Sequence, residues 1–147
     1  MRLNMQTDFA LRTLMHLAVN RDRRVTIGQI SDVFGMSKNH LMKVAQTLSR
    51  EGFISSERGR NGGLSLARAP SDIFVGDVVR KMEGNAALVS CFPGGAGGCL
   101  ITPACRLRGA LAEAQDAFFR ALDSRSIADL VDGNAPLHGL LDIGEAA

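Results

Sequence analysis

One stretch, "VTIGQISDVFGMSKNHLMKVAQTLSREGFI" (residues 25–54), limits the possible folds more than any other. Thr26 followed three residues later by Gln29 is a capping box, so a short helix opens there with Ile27, Ile30 and Val33 inward. Gly35 permits a sharp turn, with positive φ where a side chain would be strained. Ser37 can cap a second helix running to about Arg50, with Leu41, Val44, Ala45 and Leu48 as its apolar stripe. Gly52 ends it. Two short helices joined by a glycine-containing turn form the helix-turn-helix pattern.

The next residues narrow the choice. "FISSERGRNGGLSLA" (residues 53–67) reads as strand, turn, strand. Phe53, Ile54, Leu64 and Leu66 are its apolar positions, and "GRNGG" makes the turn. A helix-turn-helix followed by a basic hairpin predicts a winged helix, mostly α with a small β-hairpin wing. The candidate DNA contacts are Thr26, Ser37, Lys38, Asn39, His40 and Lys43 on and before the second helix, and Arg58, Arg60 and Asn61 on the wing. They are donors suited to phosphates and base edges. Charge points the same way. Residues 1–68 hold eleven Lys or Arg against five Asp or Glu, a net of +6; residues 69–147 hold six against ten, a net of −4. A basic front half suits a polyanionic partner.

Around this unit, "TDFALRTLMHLAVN" places Ala10, Leu11, Leu14, Leu17 and Ala18 on one helical face, with Thr7 as a cap and Asp8 in the first turn. In "APSDIFVGDVVRKMEG", Ser71 can cap a helix that Gly84 ends. After Pro103, Leu107, Leu111, Ala114, Phe118 and Leu122 alternate in steps of four and three, a heptad-like seam. That seam suits either core packing or a twin helix. A two-fold operator needs two reading heads, which favours a homodimer. The division expected is 1–83 as the DNA-binding domain, 84–106 as a cysteine loop, and 107–147 as dimerisation helix and tail. No run approaches the roughly 18 apolar residues of a membrane span, and the N-terminus lacks a signal-peptide pattern, so a cytoplasmic protein is expected. His16, His40 and His138 are scattered with no nucleophile–base motif, so no enzyme is expected.

All three cysteines, Cys91, Cys99 and Cys105, lie in "CFPGGAGGCLITPAC". A zinc site would show close cysteine pairs and four ligands, and neither is present. So many glycines argue against a packed core strand. Two readings remain open: a redox thiol switch, and an iron–sulfur cluster, for which thiolates are the preferred ligands and glycine lets the backbone wrap closely. Three thiols leave a cluster one ligand short.

Taken together, "TDFALRTLMHLA", "DVFGMSKNHLMKV", "RGRNGGLSLA", "CLITPACRLRGAL" and "NAPLHGLL" resemble the Rrf2 family of winged-helix regulators over nearly the whole chain. "SKNHLMKV" and "ITPACRL" resemble its nitric-oxide-sensitive repressors. The resemblance implies a homodimer with crossed long helices, an inverted-repeat operator in double-stranded DNA, and nitric oxide as effector. It implies one iron–sulfur cluster per subunit on Cys91, Cys99 and Cys105, with Asp8 of the partner's first helix as fourth ligand. In another branch a histidine three residues past the third cysteine completes a 2Fe–2S site. Arg108 stands there in this chain, which favours 4Fe–4S over 2Fe–2S. The spacing of the first two cysteines resembles the iron-responsive branch, so an iron or cluster-status sensor is the alternative, and a cluster-free thiol regulator a further one.

If the wing touches DNA, Arg58→Ala and Arg60→Ala each weaken operator binding. Each also reduces the slope of log affinity against log salt by about 1 per lost phosphate contact. Unchanged affinity and slope in a salt titration would remove the wing from the interface.

Overall fold

The computed structural model describes residues 2–144. Seven helices and one hairpin follow in order: α1 (Met5–Val19), α2 (Ile27–Phe34), α3 (Lys38–Arg50), β1 (Ile54–Glu57), β2 (Gly63–Leu66), α4 (Val75–Glu83), α5 (Arg106–Asp123), α6 (Ile127–Val131) and α7 (Ala135–Leu141). The architecture is the expected one, mostly helical with a two-stranded antiparallel wing.

Helix α1 runs through the centre. Ala10, Leu14, Leu17 and Ala18 are buried on it, as the spacing predicts, and Thr7, Thr13 and His16 are buried beside them. A helix covered on so many sides must pack against several neighbours. It meets α3, α4, α6, α7 and β2. Its cap differs from expectation. Asn4, not Thr7, takes the N-cap, and its side chain accepts the Thr7 N–H at 2.8 Å. Thr7 turns its hydroxyl to Glu83 at the end of α4, 2.5 Å away. Asparagine caps at least as well as threonine, and Asn4 lies the right three residues upstream.

Helix α2 opens on the predicted capping box: Gln29 N–H donates to the Thr26 hydroxyl at 3.2 Å, and Thr26 N–H donates to Gln29 Oε1 at 2.8 Å. Gly35 closes it at φ 64°. Leu41, Val44, Ala45 and Leu48 bury the inner face of α3. The hairpin pairs Ile54 with Leu66 and Glu57 with Gly63. Val25, just before α2, bridges to Leu64, so the wing is stitched to the helix-turn-helix. Ser71 is not a cap. It lies in a 3₁₀ turn, Pro70–Asp72, and α4 starts four residues later behind Phe74, because Ile73 takes extended backbone. The Ile73 carbonyl then accepts the Ile127 N–H at 2.8 Å, and Phe74 bridges to Ser126. Through these bonds α6 joins the core, where Ile127 and Val131 are fully buried.

Helix α5 is the exception. None of its residues is buried, and Leu107 is 64% exposed. It is held at its far end, where Arg80 on α4 forks onto Asp123 at 2.6 and 2.7 Å and lies 4.4 Å over the Phe119 ring. Gly76 makes room: a Cβ there would fall 1.9 Å from Asp123 Oδ1.

Two outcomes follow. Both ring nitrogens of His16 are buried with no hydrogen-bond partner among the described residues, and its ring meets Phe34 edge-on. Burial disfavours the charged form and lowers its pKa below the ordinary 6.5. The unfolded chain therefore binds the extra proton first. Stability is full above about pH 6.5 and falls as the pH drops toward the lower folded-state value, by at most about 1.4 kcal/mol per pH unit. Urea unfolding at pH 7.5 and 5.5 should show this loss in the wild type and a smaller one in His16→Leu. Gly76→Ala displaces Asp123 from Arg80. Amide exchange around residues 119–125 should rise while that of α1 stays unchanged.

Candidate nucleic-acid interface and cysteine loop

Helix α3 presents its outer face beside the wing. Its buried residues set one direction, and at 100° per residue the opposite side carries Asn39, Lys43, Gln46 and Arg50, all exposed. Asn39, Met42, Lys43, Gln46 and Arg50 line an 810 Å³ groove whose other wall includes Ser56 and Arg58 of the wing. Its lining has three cations and no carboxylate.

The predicted contacts distribute unevenly over this surface. Asn39, Lys43 and Arg58 line the groove. Lys38 and Ser37 are exposed at the N-terminus of α3, where Ser37 occupies the N-cap position without a side-chain cap bond, leaving its hydroxyl free. His40 lies on the flank facing α1, its ring 6.4 Å from Phe9. Thr26 spends its hydroxyl and N–H on the capping box. Arg60 is exposed at the wing tip. The Asn61 carbonyl accepts from Arg24 at 3.3 Å, and Arg24 also pairs with Glu57, which braces the wing from below. The tip is tight enough that a Cβ on Gly62 would lie 2.4 Å from the Glu57 carbonyl. Sequence reading passed over Gln46 and Arg50, although they follow Asn39 by seven and eleven residues and so share its face.

The cysteine loop leaves α4 at Gly84 and enters α5 at Cys105. All three thiols are free; Cys91 and Cys105 are half-buried and Cys99 is exposed. Gly94, Gly97 and Gly98 have positive φ, and the Gly97 N–H reaches back to the Ser90 carbonyl at 2.8 Å. Cys105 is the N-cap of α5, its sulfur accepting the Arg108 N–H at 3.4 Å. The Arg108 side chain donates to the Cys91 carbonyl at 3.3 Å, so one residue touches both ends of the loop. Among the described residues no three His, Cys, Asp or Glu side chains are gathered as a metal site. The donors suit an iron–sulfur cluster in kind, being three unpaired thiols on a glycine-rich backbone. Gathering them would require the loop to tighten. Asp8, on the first turn of α1, is held by Arg12, with Nε 3.0 Å from Oδ1 and Nη2 2.9 Å from Oδ2. Among the described residues no helix is long and apolar enough to cross a membrane.

Comparison with known proteins agrees with this arrangement. The family model "Rrf2: Iron-dependent Transcriptional regulator" matches residues 3–133. The HTH-type transcriptional regulator NsrR of Geobacillus kaustophilus (strain HTA426) is 44% identical over 142 residues, covering 96% of this chain and 97% of that protein. Among solved structures, CymR (YrzC), the global cysteine regulator of B. subtilis, superposes with a TM-score of 0.74 at 23% identity, over 89% of this chain and 96% of that one. T. potens IscR superposes with a TM-score of 0.71 at 24% identity, over 88% and 85%. At these identities the two structures speak for the fold. With a family match over most of its length and a winged helix whose basic groove suits DNA, this chain belongs to the Rrf2 family of transcriptional regulators.

Proposed function

We propose that the chain is a homodimeric repressor that binds an inverted-repeat operator in double-stranded DNA and responds to nitric oxide through an iron–sulfur cluster, controlling nitrosative-stress genes. The observation that carries this reading is the placement of all three thiols, unpaired, on the one loop between the reading head and α5. The resemblance of "SKNHLMKV" and "ITPACRL" to nitric-oxide-sensitive repressors, beside the 44% identity to the regulator NsrR, supports the choice of effector. Cys91, Cys99 and Cys105 would hold the cluster, with the partner subunit's Asp8 as fourth ligand; Arg108 in the position three past Cys105 favours 4Fe–4S over 2Fe–2S. When bound, the cluster supplies thiolate-coordinated iron, the chemistry on which nitric oxide acts.

The chain's own residues supply the coupling. Glu83, the last residue before the loop, accepts the Asn4 N–H at 2.8 Å and the Thr7 hydroxyl at 2.5 Å. The start of the cysteine loop and the start of α1 are therefore tied together. Helix α1 packs on α3, so a shift at its N-terminus bears on the pitch of the reading helix. Asp8 would have to leave or share Arg12 to serve as a ligand. Of the heptad-like seam, Phe118 and Leu122 pack against this chain's own core, while the exposed Leu107, Ala110 and Ala114 of α5 would pack against a second copy, spacing two reading heads for a two-fold operator. Regulation of this kind is a local bonding change that biases a two-state element.

Two other readings have support. The exposed Cys99 suits a cluster-free thiol redox regulator, and the family description, iron-dependent, suits an iron or cluster-status sensor. One experiment separates them. Protein purified without oxygen should be coloured, contain iron and sulfide, and bleach with nitric oxide as operator binding is lost. Cys91→Ser, Cys99→Ser and Cys105→Ser should each lose the colour, and Asp8→Ala should retain it but bleach faster. A colourless, iron-free protein that binds DNA in a thiol-dependent way would sink the cluster reading. Release of DNA by iron chelation but not by nitric oxide would favour the iron sensor.

A further inference from the structure

The outer edge of α3 carries two carboxamides in line. Asn39 and Gln46 are seven residues apart, so they diverge by only about 20° around the helix. Both are exposed and both line the groove against the wing. Met42 sits between them along the axis, 58% exposed, on the same groove. A large apolar side chain so open to water lies outside this chain's buried core. The groove around the three is cationic, with Lys43, Arg50 and Arg58 and no carboxylate to repel a phosphate backbone.

Chemistry assigns different tasks to these groups. A lysine or arginine neutralises phosphate or reads guanine. A carboxamide has a donor and an acceptor side by side, matching the N6 amino group and N7 of adenine in the major groove. An apolar side chain matches the thymine methyl. At 1.5 Å of rise per residue, Asn39 and Gln46 are about 10.5 Å apart along the helix, close to three base steps of about 3.4 Å for a helix that follows the stacking direction. Resting on the DNA-binding reading above, we infer that Asn39 and Gln46 read two adenines about three base pairs apart in each operator half-site. Met42 packs on a thymine methyl between them. His40, on the flank nearer Phe9, lies off this line.

The test is selection from a randomised duplex pool, using the full-length wild type, Asn39→Ala and Gln46→Ala, each checked for native circular dichroism. The wild type should enrich adenine at two positions about three base pairs apart in each half of an inverted repeat. Asn39→Ala should lose the preference at one position and Gln46→Ala at the other. Replacing either adenine should weaken wild-type binding about 5- to 150-fold. The same replacement should have almost no effect on the matching variant, and the salt dependence should be unaltered. If the wild type enriches a repeat without that adenine pair, or if both variants weaken every sequence equally, this inference falls while DNA regulation stands. If the wild type enriches no sequence at all, the regulator reading falls with it.

Discussion

The buried stripe of α1 is the constraint on which everything else rests. Leu14 and Leu17 are essentially inaccessible, and burying each contributes about 1.5–3 kcal/mol. Because α1 is covered by α3, α4, α6, α7 and β2, its direction sets the angles of the reading helix, the wing and the start of the cysteine loop together. The interior is close-packed and passes a displacement on instead of absorbing it. His16 and Thr13 lie on the same buried side of α1, so that polar side chains are enclosed in the packing with the leucines.

Both ends of α1 are tied to distant parts of the chain. At its N-terminus, Asn4 and Thr7 bond to Glu83 and to the Met82 carbonyl, across 76 to 79 residues of sequence. At its C-terminus, Asn20 donates to the Leu141 carbonyl at 2.9 Å and accepts from the Ile143 N–H at 3.1 Å. The residues after α5 therefore return to the reading head. Helix α5 leaves that body and comes back to it, anchored where Arg80 grips Asp123 and stacks over Phe119. Its first turn, by contrast, touches the cysteine loop through Arg108. One rigid helix thus joins the thiols to an ion pair on α4.

How much of this was legible can be judged from particular residues. The helix-turn-helix was readable because capping box and glycine turn agreed with each other; Thr26, Gln29, Gly35 and the buried Ile30 stand as expected, whereas Val33, expected inward, is 43% exposed because the short α2 buries only its central residue. The caps at Thr7 and Ser71 were misplaced because a cap is chosen among nearby polar residues by the backbone that tertiary packing allows. Asn4 won the first contest, and an extended Ile73 paired with Ile127 settled the second. Gln46 and Arg50 were legible in principle, lying two and three turns beyond Asn39. Periodicity puts them on the outer face, but only the position of the wing shows that this face lines a groove. The turn of His40 toward Phe9 was not legible, since it depends on where α1 crosses α3.

Local order along the chain is enough for the separate elements: helices where apolar residues recur at three and four, a hairpin where short alternating runs flank glycines, and a loop holding every thiol. These follow from interactions among residues close in the chain. Which polar groups serve the fold and which stay exposed depends on how the elements pack. The packing gave Thr7 to Glu83, Asn20 to the tail and Asp123 to Arg80. It left Asn39, Gln46 and Leu107 at the start of α5 open to solvent. The physical reason is that burial and pairing are properties of surfaces brought together from far apart in the chain, and periodicity says only which side of a helix is available, not what covers it.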